Sequence, residues 1–148
     1  MGMFEGMAIS GSGLTAQRYR MDIISENLAN IDTTRTEDGT PYRRKMVTFE
    51  ERGDRTSFES VLNTASKQYH GKGVKVTGVY EDYSSDLIKA YDPSHPDADE
   101  DGYVYYPNVN TVQEMTDLID ASRSFEANAT AFDATKSMMM KALSMGNN

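Results

Sequence analysis

In "DADEDGYVYYPN" (97–108), Asp97, Asp99, Asp101 and Gly102 occupy positions one, three, five and six of a twelve-residue frame. That spacing lets three carboxylates converge on a cation while the glycine turns the chain, as in a helix-loop-helix calcium site. The twelfth position of such a site requires a bidentate Glu. Here it is Asn108, preceded by Pro107. The approach contains Pro93 and Pro96, which remove backbone donors and oppose an entering helix. A calcium-binding module therefore stands only as an alternative, with weak cation binding across Asp97–Asp101 left open.

Other reactive groupings are sparse. The chain has two histidines and no cysteine, which removes disulfides, thiolate metal sites and cysteine nucleophiles. His70 sits in "QYHGKG", a turn by composition. His95 lies between two prolines beside Asp92 and Asp97, in a loop stiffened by Asp-Pro and His-Pro turns; a divalent ion there is the alternative. Ser124 and Asp133 fall on a helical stretch with no partner arrangement for acyl transfer. Neither a glycine-rich phosphate loop nor an HExxH pair occurs. These residues point away from an enzyme, a metal site, a cofactor and a small-molecule substrate. The formal charge of -8 and pI near 4.7 oppose nucleic-acid binding, which needs a dense Lys and Arg field. "YRRK" (42–45), the one compact basic run, reads as a solvated strand or loop. Between 81 and 101, eight acids stand against Lys89 alone, a pattern read as a solvating surface.

The elements that carry these residues divide by composition. Nine of ten Met lie in 1–31 and 111–148, while eight of nine Tyr and all four Pro fall between 41 and 107. The ends suit helices and the middle suits strands and turns. Met7, Leu14, Met21 and Leu28 recur every seven residues, interleaved with Met3, Ser10, Gln17, Ile24 and Ile31, and predict a helix over about 5–30 that stops at Asn30. Gly11 and Gly13 interrupt it at about 1 kcal/mol each. In "TVQE", Thr111 can cap a second helix and Glu114 can bond back to it. From there Met115, Leu118, Ser122, Phe125, Ala129, Phe132, Lys136, Met139 and Leu143 follow 3-4 spacing, over about 33 residues or roughly 50 Å of helix.

Two stripes of matched period, one at each end, are most simply satisfied as an antiparallel coiled coil. Val112, Ile119, Met138 and Met140 lie outside the main seam, where one partner helix cannot cover them, so the second helix reads as an assembly interface. Between the helices, 42–49, 74–81, 87–91 and 103–106 read as strands, and 56–67 as a short helix or ordered loop. The expected fold is thus α+β: terminal helices in a core domain (1–34 and 109–148) and a small β-rich outer domain (35–108). The N-terminus has no basic start or continuous apolar core, which predicts no cleaved secretion signal, and no segment reaches the roughly 20 apolar residues of a membrane helix.

Where the first helix ends, "SENLANIDTT" places Ser25, Asn27, Leu28, Ala29, Asn30, Thr33 and Thr34 in the Ser-x-Asn-Leu-Ala-Asn and Thr-turn pattern of the bacterial flagellar rod and hook proteins. The chain resembles that family there, in 91–110 and in 114–146, where Asn128 also matches. Many members continue Gly-Phe-Lys; here Arg35–Pro41 precedes "YRRK", as in one rod member. The resemblance implies a structural subunit of the proximal rod, polymerised with itself and other rod proteins around the export channel and delivered by the flagellar type III export apparatus without a cleaved signal. The residues that the periodicity sets to pack the helices together or against other subunits are Met7, Leu14, Met21, Ile24, Leu28, Met115, Leu118, Ile119, Phe125, Phe132, Met139 and Leu143. Asn27, Asn30 and Asn128 are expected to satisfy backbone groups at helix ends or between subunits. A soluble coiled-coil adaptor is the alternative from a different class.

Overall fold

The computed structural model describes residues 3–52 and 72–146. Gly2, the 56–67 segment and His70 lie outside the described residues. Element order is α1 (Met3–Ala29), β1 (Lys45–Glu51), β2 (Val74–Glu81), β3 (Ile88–Tyr91), β4 (Tyr103–Tyr106) and α2 (Thr111–Gly146). Long terminal helices with a small β middle make the fold α+β, as the composition predicts. No helix among the described residues is long and apolar enough to cross a membrane.

Asn30 ends α1, and it does so with its side chain. Its amide Nδ2 donates to the Glu26 carbonyl at 2.9 Å and its Oδ1 accepts from Thr33 Oγ1 at 3.2 Å. The first of these bonds joins the Asn30 backbone amide on the same carbonyl, at 3.1 Å, and the second ties the following turn to the helix end. The chain then turns at Gly39, whose φ of 77° is strained for any other L-residue. It enters β1 three residues later than the sequence pattern suggests: the Tyr42 amide bonds back to the Thr33 carbonyl and the Arg44 amide donates to Asn108 Oδ1.

The strands form two separate two-stranded sheets, β1-β2 and β3-β4. The Asp82 amide donates to the Arg44 carbonyl and the Arg52 amide to the Gly73 carbonyl, so β1 and β2 run antiparallel. In the second sheet Lys89 faces Tyr105 and Tyr91 faces Tyr103. Side-chain alternation puts these four on one face, with the Lys89 ammonium 3.9 Å from the Tyr103 ring centroid and the Tyr91 and Tyr103 rings edge-on at 5.2 Å. Val104, on the opposite face, is fully buried.

The described residues pack as two compact units. One comprises 20–48 and 78–121; the other comprises the described parts of 1–19, 49–77 and 122–148. Ile24, Tyr42, Val104, Pro107, Val109 and Ala121 form the apolar interior of the first unit, together with the buried polar groups of Asn27, Asp82 and Glu114. In the second, the buried positions are the small residues Ser10 and Ala16. Its close helix contacts also involve small residues: a Cβ on Gly13 would lie 2.7 Å from Asn128 Oδ1, and one on Gly6 would lie 3.9 Å from Thr135 Cγ2. No residue of 122–146 is buried.

Candidate functional site

Two features of the first unit do more than fill space: a buried polar hub, and the exposed face of α2. Asn27 sits at the hub's centre, 1% exposed. Its Nδ2 donates to the Lys45 carbonyl at 2.9 Å and to Glu114 Oε2 at 3.0 Å. Its Oδ1 accepts from the Lys45 amide and from the Tyr42 hydroxyl, each at 2.9 Å. All four bonds a carboxamide can make are used. One side chain thereby joins the last turn of α1, the start of β1 and the first turn of α2.

Glu114 is wholly buried, and a buried carboxylate needs a charge partner and further hydrogen bonds. Arg44 supplies the charge, its Nε donating to Glu114 Oε1 at 2.6 Å. Arg44 also reaches Asp117, as does Arg20, each at 3.4 Å. Lys45 pairs with Glu26 at 2.5 Å. Burial pushes the Tyr42 hydroxyl well above its ordinary value, and the nearby Glu26, Glu114 and Glu81 carboxylates add to this. Tyr42 is therefore a hydrogen-bond donor throughout the physiological range. The same end of the β1-β2 pair is fastened a second time, just past β2. Asp82 accepts from the Ser84 and Ser85 hydroxyls and amides, bonds that hold its carboxyl far below the usual range. Asn108 donates to the Asp82 carbonyl and accepts from the Arg44 amide.

Two sequence-based expectations change here. The cap of α2 is Asn110, not Thr111: Asn110 Oδ1 accepts from the Val112 and Gln113 amides at 3.0 and 3.2 Å. Glu114 does not bond back to Thr111, because its carboxylate is drawn inward by Arg44 and Asn27. "YRRK" is not a solvated run either. Tyr42 is buried, and the cationic heads of Arg44 and Lys45 face carboxylates.

The remaining motif residues act locally. Ser25 Oγ donates to the Met21 carbonyl one turn back, Thr33 bonds Asn30, and Ala29 is exposed. Asn128 Nδ2 donates to the Ser124 carbonyl at 2.8 Å. Of the apolar stripe, Ile24 is buried, and Met7, Leu14, Met21, Leu28, Leu118, Phe125, Phe132 and Met139 are half-buried. Met115, Ile119 and Leu143 are exposed, as are Val112, Met138 and Met140.

The twelve-residue frame at 97–108 folds as a turn leading into β4. Asp99 Oδ1 accepts from the Asp101 and Tyr103 amides, and Asp97 turns toward Thr34 Oγ1 at 2.8 Å and Arg35 at 3.6 Å. Among the described residues no three His, Asp or Glu side chains are grouped to hold a metal ion.

The family described as Flagella basal body rod protein matches residues 7–35, and the one described as Flagellar basal body rod FlgEFG protein C-terminal matches residues 100–145. Over 152 residues and 99% of each chain, the sequence is 49% identical to flagellar basal-body rod protein FlgC of Bacillus subtilis. The chain belongs to the FlgC family. FlgC of Borreliella burgdorferi is 43% identical over 98% of each chain, and FlgC of Escherichia coli O6:H1 is 42% identical over 93% of each. As a FlgC-family chain, the protein is a structural rod subunit of the flagellar basal body and not an enzyme. Both matched segments of the FlgC chain contribute to the hub, Asn27 from the first and Glu114 from the second. Arg44 and Tyr42 lie between the matches, in the basic run "YRRK", whose composition does not signal the partners they take.

Proposed function

We propose that this chain occupies the proximal rod, polymerising with other rod proteins and with itself into the drive shaft that transmits torque and encloses the export channel. The observation that carries this is the near full-length relationship to FlgC rod proteins, coupled with a second helix that leaves large apolar residues exposed toward both of its ends. In the assembly, α1 and α2 pair as an antiparallel coiled coil. Supporting that pairing, Gly6 lies against Thr135 and Gly13 against Asn128 in one unit, while Arg20 meets Asp117 and Asn27 meets Glu114 in the other. Residues 1–34 and 109–148 form the core domain and 35–108 the outer one. Met7, Leu14, Met21, Ile24, Leu28, Leu118, Phe125, Phe132 and Met139 make the seam. Met115, Ile119 and Leu143 face neighbouring subunits. Heterologous contacts that do not close generate a helical polymer, and many interfaces in parallel then carry torque.

On this reading the chain reaches the rod through the flagellar type III export apparatus. Deletion followed by electron microscopy of basal bodies tests the function: loss of the rod and of swimming is expected. A complete rod and normal motility without the protein would refute it.

A further inference from the structure

At the start of α2, Ile88, Val109 and Val112, with Ser85, Asp86 and Asn110, line an open groove of about 390 Å³. Val112 is 75% exposed, and Met115 and Ile119, at 53% and 52%, continue the same helix face at the i, i+3, i+7 spacing. The strip ends at Arg123 and Glu126, which are of opposite sign. The unit that carries the groove holds sixteen acidic and six basic residues. All six basic side chains are engaged internally: Arg20, Arg35, Arg44 and Lys45 on carboxylates, Arg43 and Lys89 over tyrosine rings. Asp86 at the groove and Asp120 beside the strip have no partner among the described residues.

The other end of the same helix has complementary chemistry. From 134 to 146 its only charged residues are Lys136 and Lys141. Met138, Ala142 and Met145 share one face with Lys141 beside them, and Met138 and Met145 are 58% and 74% exposed. Methionine side chains adapt their shape to an apolar trough.

Resting on the rod function above, we propose that the groove and strip Ile88–Val112–Met115–Ile119 receive the last three turns of α2 from a second copy of this chain. Met138 and Met145 enter the apolar trough, and Lys141 lies against Asp86 and Asp120. The patches differ, so the contact is heterologous and repeats from copy to copy without closing.

The absence of cysteine makes the contact directly testable by disulfide formation in basal bodies isolated from cells that express two tagged versions of the chain, V112C and M145C. All positions used are exposed, so the fold is retained. The expected result is an oxidation-dependent band at the mass of two chains. This band should be missing when Y91C, on the outward face of the β3-β4 sheet, replaces V112C. K141E should reduce the band about threefold and D120K should restore it in the K141E background, as expected for a rim charge pair. A V112C adduct with a different rod protein would overturn the second-copy assignment. Chains present in the basal body without the two-chain band would overturn the contact while leaving the rod function intact. Absence of the chain from basal bodies would refute the rod function and this contact with it.

Discussion

Replacing Asn27 by Asp exchanges one NH2 for an oxygen and changes almost no volume, so its cost isolates the hub's hydrogen-bond logic. Two donors vanish: the bond to the Lys45 carbonyl and the bond to Glu114 Oε2, at 2.9 and 3.0 Å. Each is worth about 1 kcal/mol in a buried setting. A second carboxylate is also placed against a fully buried one, with Arg44 the only charge among the described residues that Glu114 bonds directly. Such a pair shares a proton, and the carboxyl introduced at 27 has its folded-state value raised above about 3.9. Each unit of that rise costs about 1.4 kcal/mol once the pH exceeds the raised value. With one to two units, the total is about 3–5 kcal/mol at pH near 8. A raised folded value means that stability is lost as pH rises through it and retained below. Urea unfolding followed by circular dichroism should therefore show N27D losing most near pH 8 and recovering part of the loss as pH falls toward about 4.5. A loss under about 1 kcal/mol, or one that is constant with pH, would refute the account of Asn27 as a saturated donor-acceptor centre.

The paired glycines of α1 should respond in opposite directions. G11A, with nothing within 4 Å of its new Cβ, should raise stability by about 1 kcal/mol, while G13A should lower it by about 1–2 kcal/mol through its clash with Asn128; G13A placed in an N128A background should become a gain, read from thermal unfolding in a double-mutant cycle. The Asp82 carboxyl, held low first by the Ser84 hydroxyl and then by that of Ser85, contributes stability above the ordinary carboxylate range and loses it as pH falls through its lowered value. D82N should accordingly speed amide exchange at Ser84 and Ser85 at neutral pH, with the gap to wild type narrowing only below about pH 4. In the unassembled chain, hydrogen exchange should be slow over 111–121, which contains buried Glu114 and Ala121. Over 122–146, which contains no buried residue, it should be fast, because a helix that buries little surface is marginal in water; uniform protection across α2 would contradict this.

The helices and strands were legible because each rests on a periodic signal: the seven-residue rows gave α1 and α2, and alternation gave β2 and β4 at their observed limits. The hub was not legible, for reasons its residues make plain. Asn27 stood out by resemblance alone, and its partners lie at Lys45 and Glu114, beyond any local pattern. Glu114 carried a misleading local signal, since three residues after a Thr it matches a capping box. An arginine 70 residues away in sequence captured it instead. Ser10, a polar residue in the row interleaved with Met7 and Leu14, is nevertheless buried, because a small hydroxyl permits close approach where a large apolar side chain would hold helices apart.

The bond between Asn27 and Glu114 closes a loop of 87 residues. It is the kind of contact whose entropic cost must be met before any local gain rewards it. A chain passed end-first through a narrow conduit, in either direction, cannot close that loop until both residues are on the same side. In any such passage the hub closes late: the strands and helix turns on either side can form piecemeal, but the fastening among them waits until positions 27 and 114 have both arrived.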